Sequence, residues 1–131
     1  MKYLSIVRGS EKSNPNQESN GAAHPPAALM EAMEQLIEKS MKEGVLIDTG
    51  GLAPSQQGFR MRLAQGKLTT TDGPFSESKE VIGGWAIWEA SSKEEALRLT
   101  TEFLDLHRKH WPACESEFEC EVRPIVYQAR P

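Results

Sequence analysis

The segment TDGPFSESKEVIGGW, residues 71–85, joins a turn to a strand and is the most informative part of this 131-residue chain. Pro74 fixes its own φ, Gly73 permits a positive φ, and Asp72 can accept a hydrogen bond from the backbone that follows. These three residues therefore predict a rigid turn that carries charge. Residues 82–89 are mostly apolar and predict a strand, so the charged turn leads directly into the sheet.

Further strands are indicated by apolar residues that alternate with polar ones. In residues 59–63 the apolar side chains alternate with Arg60 and Arg62, which is typical of a strand with one face buried. Gln65-Gly66 predicts a tight hairpin turn into a partner strand. In residues 82–89 the same period puts Trp85 and Ile87 on one face, opposite to Ala86 and Trp88. Strands are predicted at residues 3–7, 45–47, 59–63, 68–71, 82–89 and 118–123, with residues 50–54 breaking the second.

Two helices are predicted from apolar residues at helical spacing. Residues 26–43 carry one apolar stripe, begin at a proline and end at Gly44, which favours a left-handed stop. Ser92 and Glu95 have the spacing of a capping box for a second helix, which ends before Pro112. Residues 10–24 are polar and without periodicity, and we expect a mobile loop there.

The order of these elements, β-α-β-β-β-β-α-β, predicts a single domain over residues 1–131 of the α+β class. Without the central hairpin it is a split β-α-β pattern, so we expect a ferredoxin-like sandwich with an inserted hairpin and both helices on one face of an antiparallel sheet. The strands carry apolar residues on both faces, and helices cover only one. A second copy related by a two-fold axis is the simplest cover, which predicts a homodimer.

Composition excludes several classes of protein. A formal net charge of −4 gives no basic surface for nucleic acid, and no apolar run of 18 residues is present to cross a membrane. Cys114 and Cys120 do not make the disulfide framework of a secreted protein. We therefore expect a cytoplasmic protein with reduced thiols, no direct contact with nucleic acid and no membrane span.

The segment at residues 71–80, with Gly83-Gly84 after it, resembles the defining motif of the YCII-related proteins of the DGPF type. Residues 1–4 resemble that family's opening strand, residues 44–46 with 51–54 its second strand and exit, and residues 121–125 its closing strand, so the resemblance covers nearly the whole chain. It implies the ferredoxin-like fold and, usually, dimers of the α+β-barrel kind. We predict no cofactor. Some relatives act on ring compounds, many have no known reaction, and some are found beside sigma factors of transcription.

Candidate site residues lie in and around this motif. Asp72 or Glu77 is a candidate general base if burial raises its pKa. His24 is a candidate proton carrier and matches loosely the histidine that the wider family places at its first helix. The aspartate expected after the second helix is absent from residues 109–112. The candidates for binding a ligand, by charge or by a flat aromatic wall, are Arg60, Phe75, Lys79, Glu80 and Trp85.

Each of these candidates has a structural alternative. Asp72 can simply cap its turn, and Arg62 can simply keep one strand face hydrated. His107 and His110 lie three apart on the second helix, but with the two cysteines they match no standard zinc pattern, so we predict no metal. Two functions stay open: a small-molecule site with cofactor-free acid–base chemistry or binding alone, and a regulatory interaction module associated with a sigma-type factor. The sequence does not decide whether the protein is an enzyme.

Overall fold

The computed structural model describes residues 1–9, 25–74, 81–111 and 118–129, with the side chains of residues 81 and 118 left out. The predicted mobile loop at residues 10–24 and Cys114 lie outside this part of the chain. The elements are β1 (Lys2–Gly9), α1 (Ala27–Lys42), β2 (Leu46–Gly51), a 3-10 turn (Ser55–Gln57), β3 (Phe59–Ala64), β4 (Lys67–Asp72), β5 (Val81–Glu89), α2 (Lys93–His110) and β6 (Phe118–Pro124).

The main sheet has four strands in the order β2-β5-β1-β6, and all its pairings are antiparallel. Strands β1 and β2 are joined through α1 but are separated in the sheet by β5, which is the split β-α-β arrangement. Strands β3 and β4 form a separate two-stranded ribbon between β2 and β5 in the chain. The predicted α+β class, ferredoxin-like order and inserted hairpin are therefore confirmed.

Helix α1 begins and ends where local chemistry places its ends. Pro26 precedes its first residue, and its last turn is followed by Gly44 at φ +75°, the left-handed conformation that glycine adopts without steric cost. The helix is one residue shorter at each end than predicted. Leu29 is 1% exposed and anchors the apolar stripe against the sheet.

Helix α2 realises half of the predicted capping box. The Ser92 hydroxyl accepts a hydrogen bond from the Glu95 backbone N–H at 3.1 Å, as expected. The Glu95 carboxylate accepts instead from the Ser91 hydroxyl, with 2.8 Å between the two oxygens. The Ser91 hydroxyl thus replaces the Ser92 backbone N–H as the donor to the Glu95 carboxylate.

The core lies between the helices and one face of the sheet. Its buried residues come from β2, the end of β5 and α2, and they are Leu46, Trp88, Ala90, Ala96 and Leu99. Tyr3, Ile37, Val45, Ala86 and Val122 pack around them, half-buried. Burial of a large apolar side chain stabilises the fold by about 1.5–3 kcal/mol, so these contacts hold both helices on the same face.

The opposite face of the sheet is also apolar at its centre. Leu4 opposes Ile87 and Ile6 opposes Trp85 across the β1–β5 pairing, so these four side chains share the face turned away from Trp88. They are half-buried in the single chain. The sheet therefore has the second apolar face that the strand pattern predicted.

Gly50 and Gly51 belong to β2, and the prediction that they break the strand was wrong. They continue the pairing with β5, where Gly50 lies opposite Trp85 and Gly51 opposite Gly84. A Cβ at Gly50 would lie 2.8 Å from Nε1 of Trp85, and a Cβ at Gly84 would lie 3.1 Å from the Gly50 carbonyl oxygen. These glycines serve a close approach within the sheet rather than a turn.

The β3–β4 ribbon has the predicted tight turn but not the predicted burial. Gln65 and Gly66 both have positive φ, 52° and 75°, as a type I′ hairpin turn requires. Every residue of both strands is exposed, so the expected half-buried face has no cover within the described chain. At the root of the ribbon, Gly73 donates to the Gly58 carbonyl oxygen, with 2.9 Å from nitrogen to oxygen.

Packing against the 3-10 turn requires glycine at position 73. A Cβ built on Gly73 would lie 1.7 Å from the carbonyl oxygen of Ser55, which is buried in the 3-10 turn. The return strand of the ribbon thus presses directly on this turn. Any larger residue at position 73 would displace backbone.

We expect Gly50→Ala to destabilise the fold by about 1–3 kcal/mol, because the added methyl group overlaps the Trp85 indole. The free energy of unfolding in urea measures this. The matched control is Gly58→Ala, whose Cβ would meet its nearest atom at an ordinary 3.6 Å and should change stability by less than about 0.5 kcal/mol. Equal stabilities for the two variants would contradict the proposed close approach.

Candidate ligand cavity

A cavity of about 340 Å³ lies between the two helices and the face of the sheet they cover. It forms where the sheet presents small residues. Gly9, Gly51, Gly83 and Gly84 line it, and Ser5 lies further along β1. At the other end of the same face Trp88 fills the equivalent space and belongs to the core. The cavity therefore follows from the distribution of residue sizes along the strands.

The walls of the cavity are mainly apolar and aromatic. Helix α1 contributes Leu29 and Met33, helix α2 contributes Phe103, and Trp111 follows the end of α2. Aromatic walls and a volume in the lower part of the usual range suit a small molecule with a flat apolar part. Methionine adapts its shape to such a guest more readily than a branched side chain does.

The hydroxyl groups of the cavity are already engaged with the fold. Thr49 Oγ1 donates to the Trp85 carbonyl oxygen at 2.9 Å, and Thr100 Oγ1 donates to the Ala96 carbonyl oxygen at 2.8 Å. Ser5 is buried and hydrogen-bonds Cys120 on β6. Burial raises the pKa of the Cys120 thiol to about 11, and the Ser5 hydroxyl partly opposes that rise. Cys120 is therefore a protonated packing residue at neutral pH.

His107 is a titratable residue of the cavity wall, and its ring has a defined orientation. Its Nδ1 lies 3.0 Å from the Phe103 carbonyl oxygen one turn earlier, and its ring meets the Phe103 ring edge-on with centroids 4.8 Å apart. Because a carbonyl oxygen only accepts, the neutral ring carries its proton on Nδ1 and its lone pair on Nε2.

Burial favours this neutral form of His107. Desolvation lowers the pKa of His107 below its ordinary value, and the bond to the Phe103 carbonyl only partly opposes this. The imidazole is thus held in its neutral form at the cavity wall. This is the state that a general base needs before it takes a proton.

Among the cavity-lining residues that the structure describes, one is a lysine or an arginine, and it is Arg8. Its Nε lies 3.1 Å from Oε1 of Glu121 on the neighbouring strand β6. That nitrogen is buried and forms no aligned hydrogen bond within the described chain, so the contact is an ion pair without hydrogen-bond geometry. Both side chains keep about a third of their surface exposed, and the pair stabilises the fold only weakly, by about 0–1 kcal/mol.

The structure separates the sequence-predicted candidates. Trp85 borders the cavity from β5, but its side chain belongs to the opposite face of the sheet, where the indole lies against Gly50 of β2. Asp72 and Arg60 are exposed on the ribbon and do not line the cavity. Since Asp72 opposes Phe59 and Arg60 opposes Thr71, the two charged side chains fall on opposite faces of the ribbon. Glu77, His24, Phe75, Lys79 and Glu80 lie outside the described residues.

Sequence reasoning considered His107 only as a metal ligand and missed its place in the cavity. The signal was present, because His107 follows Phe103 by four residues and so continues the buried stripe that starts at Ala96 and Leu99. Within the described ranges, no three histidine, cysteine, aspartate or glutamate side chains cluster closely enough to hold a metal ion. Over the same residues, no helix is long and apolar enough to cross a membrane.

Comparison with known proteins identifies the family. Residues 1–103 match the family model of the YCII-related domain, so the chain belongs to that family. It is also similar to the uncharacterized protein R00369 of Rhizobium meliloti (strain 1021), with 29% identity over 98 residues. That alignment covers 75% of this chain and 73% of the relative.

We expect the stability of the protein to fall on acidification partly through His107. Its pKa is lowered in the folded state, so its contribution is intact above the ordinary value of about 6.5 and is lost as the pH falls through the folded pKa. The free energy of unfolding of His107→Gln should therefore fall less than that of the wild type between about pH 7.5 and pH 5.5. This range spans the ordinary pKa of histidine.

The matched control is His110→Gln, three residues further along the same helix and not part of the cavity wall. It should keep the pH dependence of the wild type in urea unfolding. A pH dependence that is unchanged by His107→Gln would contradict the burial of this ring.

Proposed function

We propose that this YCII-related protein binds a small, ring-containing molecule in the cavity between its helices and its sheet. The observation that carries the proposal is the cavity itself, about 340 Å³ with walls formed largely by leucine, methionine and aromatic side chains. Such a volume suits a ligand near the small end of the usual range, and flat walls favour a planar ring. Arg8 at the wall favours an anionic group on that ring, because it can share its charge between Glu121 and the ligand.

The chemistry we propose at this site is proton transfer without a cofactor. His107 supplies a neutral imidazole at the cavity wall, oriented by the Phe103 carbonyl oxygen that accepts from Nδ1, and we assign it the role of proton carrier. The apolar walls keep water away and make the proton transfer more selective for a bound ligand. At acidic pH the protonated imidazole of His107 would lose this role, because it has no lone pair left to accept a proton.

Three sequence predictions support a fuller form of the proposal. The turn at residues 71–80 supports assignment to the DGPF type, and the second apolar face of the sheet supports a homodimer. Asp72, Glu77 and His24 stay candidates for acid–base work, and Arg60, Phe75, Lys79 and Glu80 stay candidates for holding a ligand. None of these residues is needed for the cavity and His107 to act as proposed.

A second candidate function is a regulatory interaction module associated with a sigma-type factor. The observation that favours it is the exposed apolar side of the β3–β4 ribbon, since large uncovered apolar patches usually mark interaction sites. The two functions differ in which surface matters. A small-molecule protein depends on the cavity, whereas an interaction module depends on the ribbon and tolerates a filled cavity.

The test uses 8-anilinonaphthalene-1-sulfonate, a ring-containing anion, as a probe in isothermal titration calorimetry. We expect saturable binding at one site per chain, and at least a tenfold weaker affinity for Met33→Trp, because the larger side chain occupies the cavity. The matched control is Met41→Trp on the same helix, which is 45% exposed and does not line the cavity. It should bind as the wild type does.

A further variant identifies the surface that takes the probe. Leu63→Glu alters the apolar side of the ribbon and leaves the cavity wall unchanged, so binding should persist in it. Cooperative unfolding of each variant confirms that it is folded. Probe binding that survives Met33→Trp but disappears in Leu63→Glu would refute the cavity as the binding site.

A further inference from the structure

The β3–β4 ribbon has two chemically different faces. Directly opposed residues share a face, so Leu63 and Leu68 lie together, and Phe59 and Met61 follow at two-residue intervals along β3. Arg60, Arg62 and Lys67 lie on the other face. One side of the ribbon is therefore mainly apolar, with Thr70 and Asp72 also on it, and the other side carries all three cations.

The apolar face of the ribbon is open to solvent. Its side chains are exposed by 63% for Phe59, 58% for Met61, 70% for Leu63 and 66% for Leu68. Together they form one exposed apolar patch, and the largest apolar patch on a typical monomer is about 300–600 Å². These residues alternate as in a strand with one buried face, and in the single chain that face is not buried.

A two-stranded ribbon of this kind is marginally stable by itself in water. The Gly73 contacts fix its root, whereas the turn at Gln65-Gly66 is at the far end of the paired strands. A surface that lies against the apolar face would stabilise the ribbon and would explain the alternation. The question is which molecule provides that surface.

We propose that the apolar face of the ribbon packs on a second copy of this chain, so that two copies clasp each other with exchanged arms. This rests on the homodimer proposed above but not on the cavity. A two-fold axis makes the contact occur twice. Two arms with the surfaces they cover then bury twice the area that one arm buries on an unrelated partner, which brings the contact closer to the roughly 1,200–2,000 Å² of a stable interface.

The charge of the chain favours the same partner. The ribbon, residues 59–72, has three cationic side chains and one anionic side chain, a net charge of +2. The whole chain has −4, so the rest of the chain carries −6. A cationic arm that approaches the acidic body of another copy gains favourable steering, and two arms or two bodies facing each other would repel.

The unpartnered face of the main sheet gives the dimer a second contact. Leu4, Ile6, Trp85 and Ile87 are apolar and only half-buried in the single chain. One two-fold partner can cover this face and receive the arm at once. No second type of molecule is then required to account for the two uncovered apolar surfaces among the described residues.

Sedimentation velocity of the full chain tests the proposal. We expect the wild type near 29.2 kDa, twice the 14.6 kDa chain mass. Leu63→Glu should raise the dissociation constant at least about thirtyfold, since it places a charge at a buried contact. The matched control is Ala64→Glu, the next residue of the same strand on the opposite face, which should stay dimeric.

A photo-crosslinking variant covers the case in which Leu63→Glu does not fold. p-Benzoylphenylalanine at position 63 should give, on irradiation of the purified protein, a covalent species of twice the chain mass. A monomeric wild type overturns the proposal, as does a Leu63→Glu protein as dimeric as Ala64→Glu, or a position-63 crosslinker that gives no such species. Cavity binding of the sulfonate probe by calorimetry is read separately, so failure of the arm and failure of the cavity are distinguished.

Discussion

The alternation of side chains along β5 is the constraint from which the rest of the structure follows. This strand pairs with both β1 and β2, so its two faces define the two sides of the sheet. Trp88 on one face packs with Leu46 and Leu99 and holds the helix layer in place. Trp85 on the other face comes so close to β2 that only glycine fits at position 50. A shift of β5 by one residue would exchange these two indoles and disrupt both sides.

The cavity and the core are two consequences of one helix layer over a sheet of uneven side-chain size. Where β5 ends in Trp88, helix and sheet are in contact. Where the strands carry Gly9, Gly51 and Gly84, the helices are held at the same distance by the core and a space is left beneath them. His107 reaches this space because it lies two turns beyond Leu99 on the same side of α2. The site is thus positioned mainly by packing elsewhere, and its own hydrogen bonds fix individual side chains such as His107.

The fold was predictable from the sequence because its signals are local. Apolar periodicity, the Ser92 cap and the Gly44 stop located both helices within one or two residues. The end of β2 was not predictable, because Gly50-Gly51 is a break in most contexts, and only the Trp85 ring across the sheet makes it a strand. The cavity was not predictable for a similar reason. It depends on which small residues of three strands lie beneath two helices, and no local pattern records that arrangement.

Alternating apolar residues carry different information at different places in this chain. In β6 the pattern predicts burial, and Val122 packs against the core of the same chain. In β3 the same pattern predicts burial, and the single chain leaves Phe59, Met61 and Leu63 exposed. The physical rule is identical in both cases, since apolar surface is stabilised by removal from water. The difference lies in the origin of the covering surface, which for the exposed ribbon we propose to be a second copy of this chain.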